Sequence, residues 1–561
     1  MKLNGSQILA KELIKQGVDT VFGYPGGAVL DIYDELYKNS DRIEHIITAH
    51  EQGAAHAADG YARVTGKPGV IIATSGPGAT NLVTGIANAY LDSVPLVAIT
   101  GNVAVKLLGR DSFQEVDIVG ITQPIVKHSY IVRDVSELEG IINEAFWIAS
   151  NGRKGPVLID VPKSVQKETC DYFGDFQLDI EPDEDETDGE YDYTEILEAI
   201  KNAKKPYIYC GGGVVAANAE KELLELSKKL SAPIGLSMMG MTAVPSSYEL
   251  NLGMCGMHGK YAASMAQSQA DLMIAVGVRF SDRATGNISE YTKKCTVIHI
   301  DIDEAELGKN VESLIELCGD AKKILGELLE LIKPSRNEEW VDLVLKSKEK
   351  DKTNVDKSKF CPQNIIEIVK AHCSADTVIA TDVGQHQMWT MLYYAFENPR
   401  TLLTSGGLGT MGYGLGAAIG GCVGSGRKRT VLFTGDGSFG MNLTELATAV
   451  SQKTPLLIVL FENGALGMVR QWQNMFYGER YSSTTLKRKT DFVKLAQAFG
   501  AYGCEINSIE ELKCVLEKGL PEDAPIVLDC KIDIDEKVFP MIPPGGSVKD
   551  IMICQGGADN E

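Results

Sequence analysis

The sequence predicts an α/β protein made of three doubly wound domains, each built on a parallel sheet. Short apolar, β-branched runs alternate with helical patterns along most of the chain, and this alternation is typical of parallel sheets with helices on both faces. Two charged stretches interrupt the alternation and indicate linkers. The predicted order is a first domain at 1–168, an acidic linker at 169–193, a central domain at 194–335, a charged linker with a helical segment at 336–360, a third domain at 361–535 and a tail at 536–561.

Length and composition limit the classes of function. The chain has 561 residues, of which 44% are hydrophobic and 23% are charged, as in an ordinary globular protein with ample core. A net charge of −22 argues against nucleic acid or an anionic membrane surface as a partner. No apolar run is long enough for a membrane helix, and the first residues lead straight into an amphipathic helix, so we expect neither a membrane span nor a signal peptide. The 12 cysteines are scattered without a C-x-x-C pair, which indicates reduced thiols and a cytoplasmic location.

The first domain contains a turn and an acidic residue that follow predicted strands. Strand patterns lie at 20–22, 43–49, 69–73 and 95–100, and helical patterns lie at 6–16, 52–65 and 81–92. Glu51 follows the second strand and begins a helix, where a carboxylate is favoured by the helix dipole whether or not it has a function. His50 and His56 do not have the spacing of an H-E-x-x-H zinc motif, because the second histidine comes two residues too late.

The central domain begins with a strand that leads into Gly211-Gly212-Gly213. A helical pattern follows at 220–230, and further strand patterns lie at 233–236, 272–276 and 297–302. A triple glycine permits close approach of the backbone to a ligand, but any tight turn can also use it. Alone, this motif is weak evidence for a nucleotide site.

The third domain carries the most informative stretch, 430–472. Two short apolar strand patterns, 430–434 and 455–461, flank a helical pattern at 442–452, and each strand ends in an oxygen-bearing residue, Asp436 or Asn463. Ligands of open α/β sheets bind outside the carboxyl ends of the strands, so we expect these side chains to converge there. One carboxylate and one amide oxygen suit Mg²⁺, which leaves its other positions to phosphate and water. The glycines around Asp436 would let backbone N–H groups approach an anion, and the sequence predicts a magnesium–diphosphate site.

A dinucleotide-binding site is the alternative. Residues 407–412 have the G-x-G-x-x-G spacing, and Asp436 follows at roughly the distance of a ribose-binding acid. However, those glycines do not open a helix directly after a strand, and Asp436 lies inside GDGSFG with Asn463 beyond it. These features favour the diphosphate site over a Rossmann dehydrogenase.

The same motifs resemble a known family. The sequence GDG at 435–437 followed by Asn463 resembles the signature of thiamine diphosphate (ThDP) enzymes, and GALGMVRQW at 464–472 is similar to the large, catalytic subunit of acetohydroxyacid (acetolactate) synthase. YPGG at 24–27, HEQGAAHAADGYAR at 50–63 and SGPG at 75–78 resemble the same family, so the match covers almost the whole chain. One departure is Glu462, where the family usually has asparagine.

The resemblance implies residues for ThDP and Mg²⁺. Glu51 would bond the pyrimidine ring, Met411 would support the bent cofactor, and Asp436, Asn463 and Ala465 would bind the metal ion. The other residues implied in ThDP binding are Tyr24, Pro25, Gly26, Pro77, Asn81, Gln114, Val383, Gly384, Gln385, His386, Gly409, Gly437, Ser438, Leu466, Gly467, Met468 and Val469.

The resemblance also implies a catalytic set and a substrate pocket. The catalytic set is Glu51, Gln114, Lys163, Arg283 and Met411, and the pocket is formed by Gly27, Phe113, Val469 and Trp472. Arg283 would hold the carboxylate of a second keto acid, for which a guanidinium fork is well suited. Structural alternatives remain open: a solvated charge for Lys163, a surface salt bridge for Arg283, and core packing for Met411 and Trp472.

A structural FAD is implied for the central domain, with glycines for close backbone approach, arginines for phosphate and aspartates for ribose or flavin donors. The implied residues are Arg153, Gly211, Gly212, Gly213, Met239, Gly240, Gly256, Met257, His258, Gly259, Gly277, Arg279, Asp301, Ile302 and Asp320.

The activity implied by the resemblance is decarboxylation of pyruvate and condensation of the remaining two-carbon unit with pyruvate or 2-ketobutyrate. The products would be acetolactate or acetohydroxybutyrate, in the first common step of branched-chain amino-acid biosynthesis. The active site would lie between the first domain of one subunit and the third domain of another, in a homodimer or homotetramer with a small regulatory subunit. The alternatives are a pyruvate-oxidase-type ThDP/FAD oxidoreductase, against which Phe113, Gln114 and Arg283 argue, and a non-catalytic ThDP-binding relative, against which Glu51, Asp436 and Asn463 argue.

Overall fold

The computed structural model of the protein describes residues 1–178, 191–293, 295–313, 315–352 and 355–553. Most of the predicted acidic linker, 179–190, and the end of the predicted tail, 554–561, lie outside the described residues. The rest of the chain forms three six-stranded parallel sheets with flanking helices, which confirms the predicted fold class.

The first sheet joins six strands in a doubly wound order. In spatial order they are Glu44–Ile47, Thr20–Tyr24, Gly69–Ala73, Leu96–Asn102, Pro156–Pro162 and His128–Ile131. The helices around this sheet are Gly5–Lys15, Leu30–Lys38, Glu51–Thr65, Pro77–Thr80, Val83–Leu91, Ile118–Thr122, Leu138–Ser150 and Lys163–Lys167. Its inner strands Gly69–Ala73, Leu96–Asn102 and Pro156–Pro162 are buried on both faces, as the continuous apolar runs predict. A short antiparallel pair, Lys2–Asn4 with Thr169–Asp171, joins the two ends of this unit.

The third sheet repeats the strand order of the first. In spatial order its strands are Leu402–Leu403, Val378–Thr381, Thr430–Gly435, Leu456–Glu462, Ile526–Lys531 and Tyr502–Ile506. Its helices are Pro362–Ala371, Gln385–Tyr393, Tyr413–Gly424, Asp436–Asn442, Leu446–Ser451, Gly467–Phe476, Phe492–Phe499 and Ile509–Glu517. The helix predicted at 442–452 was placed too late, because helical structure begins at Asp436, directly after the strand.

The central sheet has a different order. In spatial order its strands are Asn251–Met254, Ile234–Leu236, Pro206–Cys210, Leu272–Val276, Thr296–Asp301 and Ile315–Cys318. Its helices are Thr194–Asn202, Gly212–Ala217, Glu220–Leu230, Tyr261–Gln269, Asp282–Thr285, Ile288–Tyr291, Ala321–Leu331 and Glu338–Lys348. The last of these is the helical segment of the predicted charged linker, and it packs on this unit through buried Trp340, whose indole N–H donates to the carbonyl of Pro206 at 3.0 Å.

The first and third units pack directly against each other. Helix Glu51–Thr65 lies along helix Tyr413–Gly424, and glycines allow their backbones to approach. A Cβ at Gly60 would overlap the carbonyl of Ala417, and a Cβ at Gly420 would overlap the carbonyl of Ala57. Within the described ranges, no helix is long and apolar enough to cross a membrane.

Candidate active site

A cavity lies at the carboxyl edge of the third sheet, where strands Thr430–Gly435 and Leu456–Glu462 run side by side and in parallel. Asp436 and Asn463 directly follow these strands and both line the cavity. The cavity is lined by Val383, Gly384, Gln385, His386, Trp389, Met411, Gly435, Asp436, Gly437, Ser438, Phe461, Asn463, Ala465, Leu466, Gly467, Met468 and Val469. The structure therefore brings together every ThDP and metal residue predicted in the third unit except Gly409.

Backbone N–H groups fix the two oxygen-bearing side chains. The carboxylate of Asp436 accepts the N–H of Gly437 at 2.8 Å and that of Gly464 at 2.9 Å. The amide oxygen of Asn463 accepts the N–H of Ala465 at 3.1 Å. Burial raises the pKa of Asp436 to about 6, so the carboxylate is ionised at neutral pH and favours a cation beside it. Hard oxygen donors held in this way fit Mg²⁺.

Glu462 does not line the cavity. Its carboxylate lies 2.5 Å from the ammonium group of Lys531, which also contacts Asp529 at 2.8 Å. Burial raises the pKa of Asp436, and the negative charge of Glu462 raises it further by a smaller amount. The unusual carboxylate is therefore neutralised by a lysine on the next strand, and its influence on the cavity is electrostatic.

The lining of the cavity around His386 fits a diphosphate. His386 is buried, its Nε2 atom has no hydrogen-bond partner among the described residues, and burial lowers its pKa to about 3, so the ring is neutral and carries a single N–H. A Cβ at Gly437 would overlap Leu466, and a Cβ at Gly467 would overlap Gln385, so the close packing of the cavity wall requires glycine at both positions. An unpartnered ring nitrogen and a glycine-rich lining beside the oxygens of Asp436 and Asn463 are compatible with a magnesium diphosphate.

Met411 projects from loop 405–412 into the cavity. The N–H of Gly412 donates to Asp382 at 2.8 Å and to the hydroxyl of Ser438 at 3.1 Å, which fixes the end of the loop. Gly409 lies on the exposed part of this loop with a φ of +70° and does not reach the cavity.

Sequence reasoning missed two lining residues, Trp389 and Phe461, whereas Gly435 belongs to the glycines predicted around Asp436. Trp389 lies one helical turn after Gln385, and Phe461 lies two residues before Asn463 on the same side of the strand. The helical and strand periodicities therefore contained the signal for both aromatic residues.

The predicted pyrimidine residues form a second group in the first unit. Glu51 begins its helix, and its carboxylate accepts a hydrogen bond from the side-chain amide of Asn81 at 2.9 Å. A Cβ at Gly78 would lie 3.2 Å from this carboxylate, so the turn that contains Pro77 lies close to Glu51. Gln114 adopts a φ of +58° and packs against Gly76 of the same turn.

The rest of this group lies around the turn at 24–27. Gly26 packs on Thr74, and the ammonium group of Lys163 donates to the carbonyl of Gly27. Tyr24 is 41% exposed, Pro25 follows it in the same turn, and Phe113 is 87% exposed. All residues that line the cavity of the third unit belong to that unit, and no described hydrogen bond or ion pair joins the two groups within the chain.

Arg283 of the central unit and Trp472 of the third unit lie together. The guanidinium carbon is 5.9 Å from the centre of the indole ring, a cation–π arrangement. Arg283 also donates to the sulfur of Met257 at 3.9 Å and remains largely exposed, and Val469, one helical turn before Trp472, is 52% exposed. Trp472 and Val469 form an apolar surface beside the cavity, and Arg283 adds one cation to it.

The predicted FAD residues fall into two places. Gly211, Gly213 and Gly277 pack on each other between strands Pro206–Cys210 and Leu272–Val276, where the strand order reverses and where dinucleotides bind in such sheets. Met239 lies on Gly212, with Gly240 beside it. Three neighbouring strands end at the same edge, and the predicted residues at or just after these ends are Arg279, Asp301, Ile302 and Asp320. The Asp320 carboxylate already accepts the N–H of Lys323 as a helix cap.

The other predicted FAD residues have different contacts. Arg153 is paired with Asp303 and Glu306, each at 2.8 Å, so these carboxylates satisfy its charge. Gly256 packs against the backbone of Arg283, and the backbone carbonyl of Met257 accepts the N–H of Ile542 from the tail at 2.8 Å. His258 and Gly259 belong to this second loop, in which the Nδ1 atom of buried His258 has no hydrogen-bond partner among the described residues.

Comparisons with known proteins cover the same three units. Residues 3–121 match a family model described as "Thiamine pyrophosphate enzyme, N-terminal TPP binding domain". Residues 193–328 match the model of the central domain of these enzymes, and residues 382–530 match the model of their C-terminal TPP binding domain. The acetolactate synthase large subunit of Buchnera aphidicola subsp. Schizaphis graminum is 44% identical over 98% of both chains. The acetolactate synthase isozyme 3 large subunit of Escherichia coli is 41% identical over 99% of both chains. A probable acetolactate synthase large subunit of Methanocaldococcus jannaschii is 43% identical over 98% of this chain and 95% of the relative.

Proposed function

This chain belongs to the acetolactate synthase large-subunit family of thiamine pyrophosphate enzymes, and from that premise we propose that it condenses pyruvate with a second 2-keto acid. The products would be acetolactate from two pyruvates, or acetohydroxybutyrate from pyruvate and 2-ketobutyrate. The observation that carries the proposal is that Asp436, Asn463 and the unpartnered Nε2 atom of His386 line the same cavity.

We assign the cofactor contacts as follows. Asp436, Asn463 and the backbone carbonyl of Ala465 would bind Mg²⁺, and His386 and the glycine-rich lining would bind the diphosphate. Bound ThDP supplies the electron sink for decarboxylation, and the protein supplies binding, orientation and electrostatics. Glu51 would hold a proton at the pyrimidine ring, and its hydrogen bond with Asn81 orients the carboxyl group for that task.

The substrate contacts follow from charge and exposure. Arg283, stacked over Trp472, would hold the carboxylate of the second keto acid, since a guanidinium fork pairs with a carboxylate through two hydrogen bonds. Trp472 and Val469 would select its alkyl group by apolar contact. Lys163 and Gln114 lie with Gly27 and Phe113 in the first-unit group and would border the same space in the assembled site.

The separation of the two groups supports a site that two copies of the chain share. Glu51 and its neighbours would face the third unit of another copy, in a homodimer or homotetramer. Exposure of Phe113 and Val469 supports this proposal, because both are apolar side chains at the proposed site. The relatives are named large subunits, which supports a small regulatory subunit as a partner.

FAD is proposed as a structural cofactor at the edge of the central sheet, where Gly211–Gly213 and Gly277 mark the reversal of strand order. A cytoplasmic location is also proposed. The cysteines in the described residues are free thiols, as expected in a reducing compartment.

Product analysis of the purified protein tests the function. The protein is incubated with pyruvate, ThDP and Mg²⁺, with and without FAD, and acetolactate, CO₂, acetate, acetaldehyde and peroxide are measured. One CO₂ and one acetolactate per two pyruvates, without peroxide, is the expected result. Acetate with peroxide, or one CO₂ per pyruvate with acetaldehyde, would contradict it.

Two variants sharpen this test. Arg283→Gln should raise the KM for the second keto acid, because its carboxylate loses a cationic partner. Arg427→Gln removes another arginine, which pairs with Glu44 away from the cavity, and should behave as the unmodified protein.

A further inference from the structure

The first unit holds loop 405–412 of the third unit within the same chain. Asp92, which follows helix Val83–Leu91, accepts the backbone N–H of Gly406 at 3.0 Å and that of Gly407 at 2.7 Å through its two carboxylate oxygens. Its carboxylate is fully buried. The loop continues to Met411, which lines the cavity, whereas Asp92 itself does not.

A second carboxylate and an arginine fix Asp92 from behind. The guanidinium group of Arg63 contacts Asp92 at 2.9 Å and Asp59 at 2.6 Å, and both carboxylates are buried. Asp59 also accepts the phenolic hydroxyl of Tyr413 at 2.6 Å. Because this network is satisfied by several charge-assisted hydrogen bonds, it holds the Asp92 carboxylate in one position.

Asn88 connects the two ends of the loop. Its amide oxygen accepts the hydroxyl of Ser405 at 2.5 Å and that of Thr410 at 3.2 Å, and the N–H of Thr410 donates to the Ser405 hydroxyl at 2.9 Å. Gly407 itself packs closely on the first unit, because a Cβ there would lie 2.9 Å from the Cβ of Leu91. The conformation of the loop is therefore set by contacts from the first unit.

We propose that Asp92 is a positioning residue that, with Arg63 and Asn88, fixes loop 405–412 so that Met411 lines the cofactor cavity. The inference deepens the proposed function and rests on it for its effect on turnover. Asp59 and Arg63 belong to helix Glu51–Thr65, which begins at the proposed pyrimidine contact. One helix thus carries Glu51 and also sets the position of Met411. In a dimer with shared sites, it would supply Glu51 to one site and hold Met411 of the other.

Hydrogen exchange of the full-length protein tests the contact without any cofactor. Asp92→Asn should speed exchange of the amides in loop 405–412 by about tenfold or more, since a buried charge-assisted acceptor is lost. Asp271→Asn is the matched control, because the carboxylate of Asp271 accepts two successive N–H groups, those of Lys204 and Lys205, at 2.8 Å in the central unit. Equal loop exchange in the two variants would overturn the proposal.

Turnover and cofactor binding test the functional part. Asp92→Asn should lower kcat by about tenfold or more, because misplacement of a group at the cofactor is costly. Its Kd for ThDP with Mg²⁺ should rise by a smaller factor than kcat falls, because Asp436 and Asn463 are untouched, and Asp271→Asn should keep both values. A wild-type kcat in Asp92→Asn despite faster loop exchange would overturn the positioning role.

The two arms separate this proposal from the function proposed above. If the unmodified protein makes no acetolactate, the proposed function fails, while the exchange experiment still decides whether Asp92 holds the loop. If Asp92→Asn does not fold, Ser405→Ala replaces it, because that change removes the hydroxyl that donates to Asn88 and accepts the N–H of Thr410. The same faster exchange in the loop is then expected, and wild-type exchange would overturn the proposal.

Discussion

Replacing Gln471 by leucine should release the tail from the cavity wall. Gln471 lies in helix Gly467–Phe476 and is only 2% exposed. Its side-chain oxygen accepts the N–H of Val538 at 2.9 Å and the side-chain amide of Gln385 at 3.1 Å, and its own amide group donates to the carbonyl of Val538 at 3.1 Å. One side chain thus joins the tail to a residue that lines the cofactor cavity.

The size of the effect follows from the groups left unpaired. Leucine fills a similar volume, but it leaves the buried N–H and C=O of Val538 without partners, and each such group costs about 1–3 kcal/mol. The two unpaired groups together should lower the stability of the docked tail, relative to the released tail, by about 2–6 kcal/mol. Gln385 also donates to the carbonyl of Glu536 in the tail at 2.8 Å, so release of the tail loosens this bond as well.

Loss of the tail contact should also change the proposed metal site. The side-chain amide of Asn463 lies 3.4 Å from the side-chain oxygen of Gln385, so greater freedom of Gln385 loosens a proposed Mg²⁺ ligand. We therefore expect Gln471→Leu to raise the Mg²⁺ concentration needed for half-maximal activity.

Hydrogen exchange of residues 536–541 measures the docking free energy directly. A loss of about 2 kcal/mol corresponds to exchange about thirtyfold faster than in the unmodified protein. Gln473→Leu is the control, because Gln473 lies on the same helix but contacts Ser482 and Thr484 instead of the tail. Unchanged tail exchange in Gln471→Leu, or an equal change in Gln473→Leu, would refute the reasoning.

Three further predictions concern single carboxylates. Glu51→Gln should lower kcat by about 10²–10⁴-fold without loss of ThDP binding, because the side chain at position 51 loses its proton-transfer role. Steady-state rates and calorimetric measurement of ThDP binding test this prediction, and near-normal turnover would contradict it. Burial raises the pKa of Asp160 to about 7, so the native protein binds a proton that the unfolded chain releases, and stability should fall as pH rises from about 4 to about 7. Asp160→Asn should flatten this decline in melting temperature, and an unchanged slope would show that another group causes it. Glu462→Gln should leave the Mg²⁺ requirement of the activity nearly unchanged, because Glu462 pairs with Lys531 at 2.5 Å, whereas a tenfold shift would indicate direct contact with the metal.

Strand adjacency at the site could be predicted from the sequence because parallel sheets obey simple rules. Two buried strands joined by one helix lie side by side, so the residues that follow them, Asp436 and Asn463, must lie at the same edge. The start of the helix at Asp436 could not be placed from propensity, because three glycines in 435–440 disfavour a helix that packing nevertheless stabilises.

The contacts that join the units could not be predicted. Asp92 is 314 residues before Gly406 along the chain, and its sequence context is that of any polar residue after a helix. From the sequence, Gln471 could be predicted only as part of a helix, although its side chain bonds Val538 of the tail. Such roles depend on which loops tertiary packing brings together, and periodicity within one element does not contain that information.

These contacts link cofactor binding to the docking of the units. The cavity lies in the third unit, but the first unit holds its Met411 loop through Asp92, and the tail is tied to its wall through Gln471. The central unit reaches the same region through Arg283, which stacks on Trp472. A ligand that binds only the assembled arrangement stabilises every contact that the arrangement requires. Binding of the magnesium diphosphate should therefore tighten the loop and the tail together, and loosening either one should weaken turnover even though neither Asp92 nor Gln471 lines the cavity.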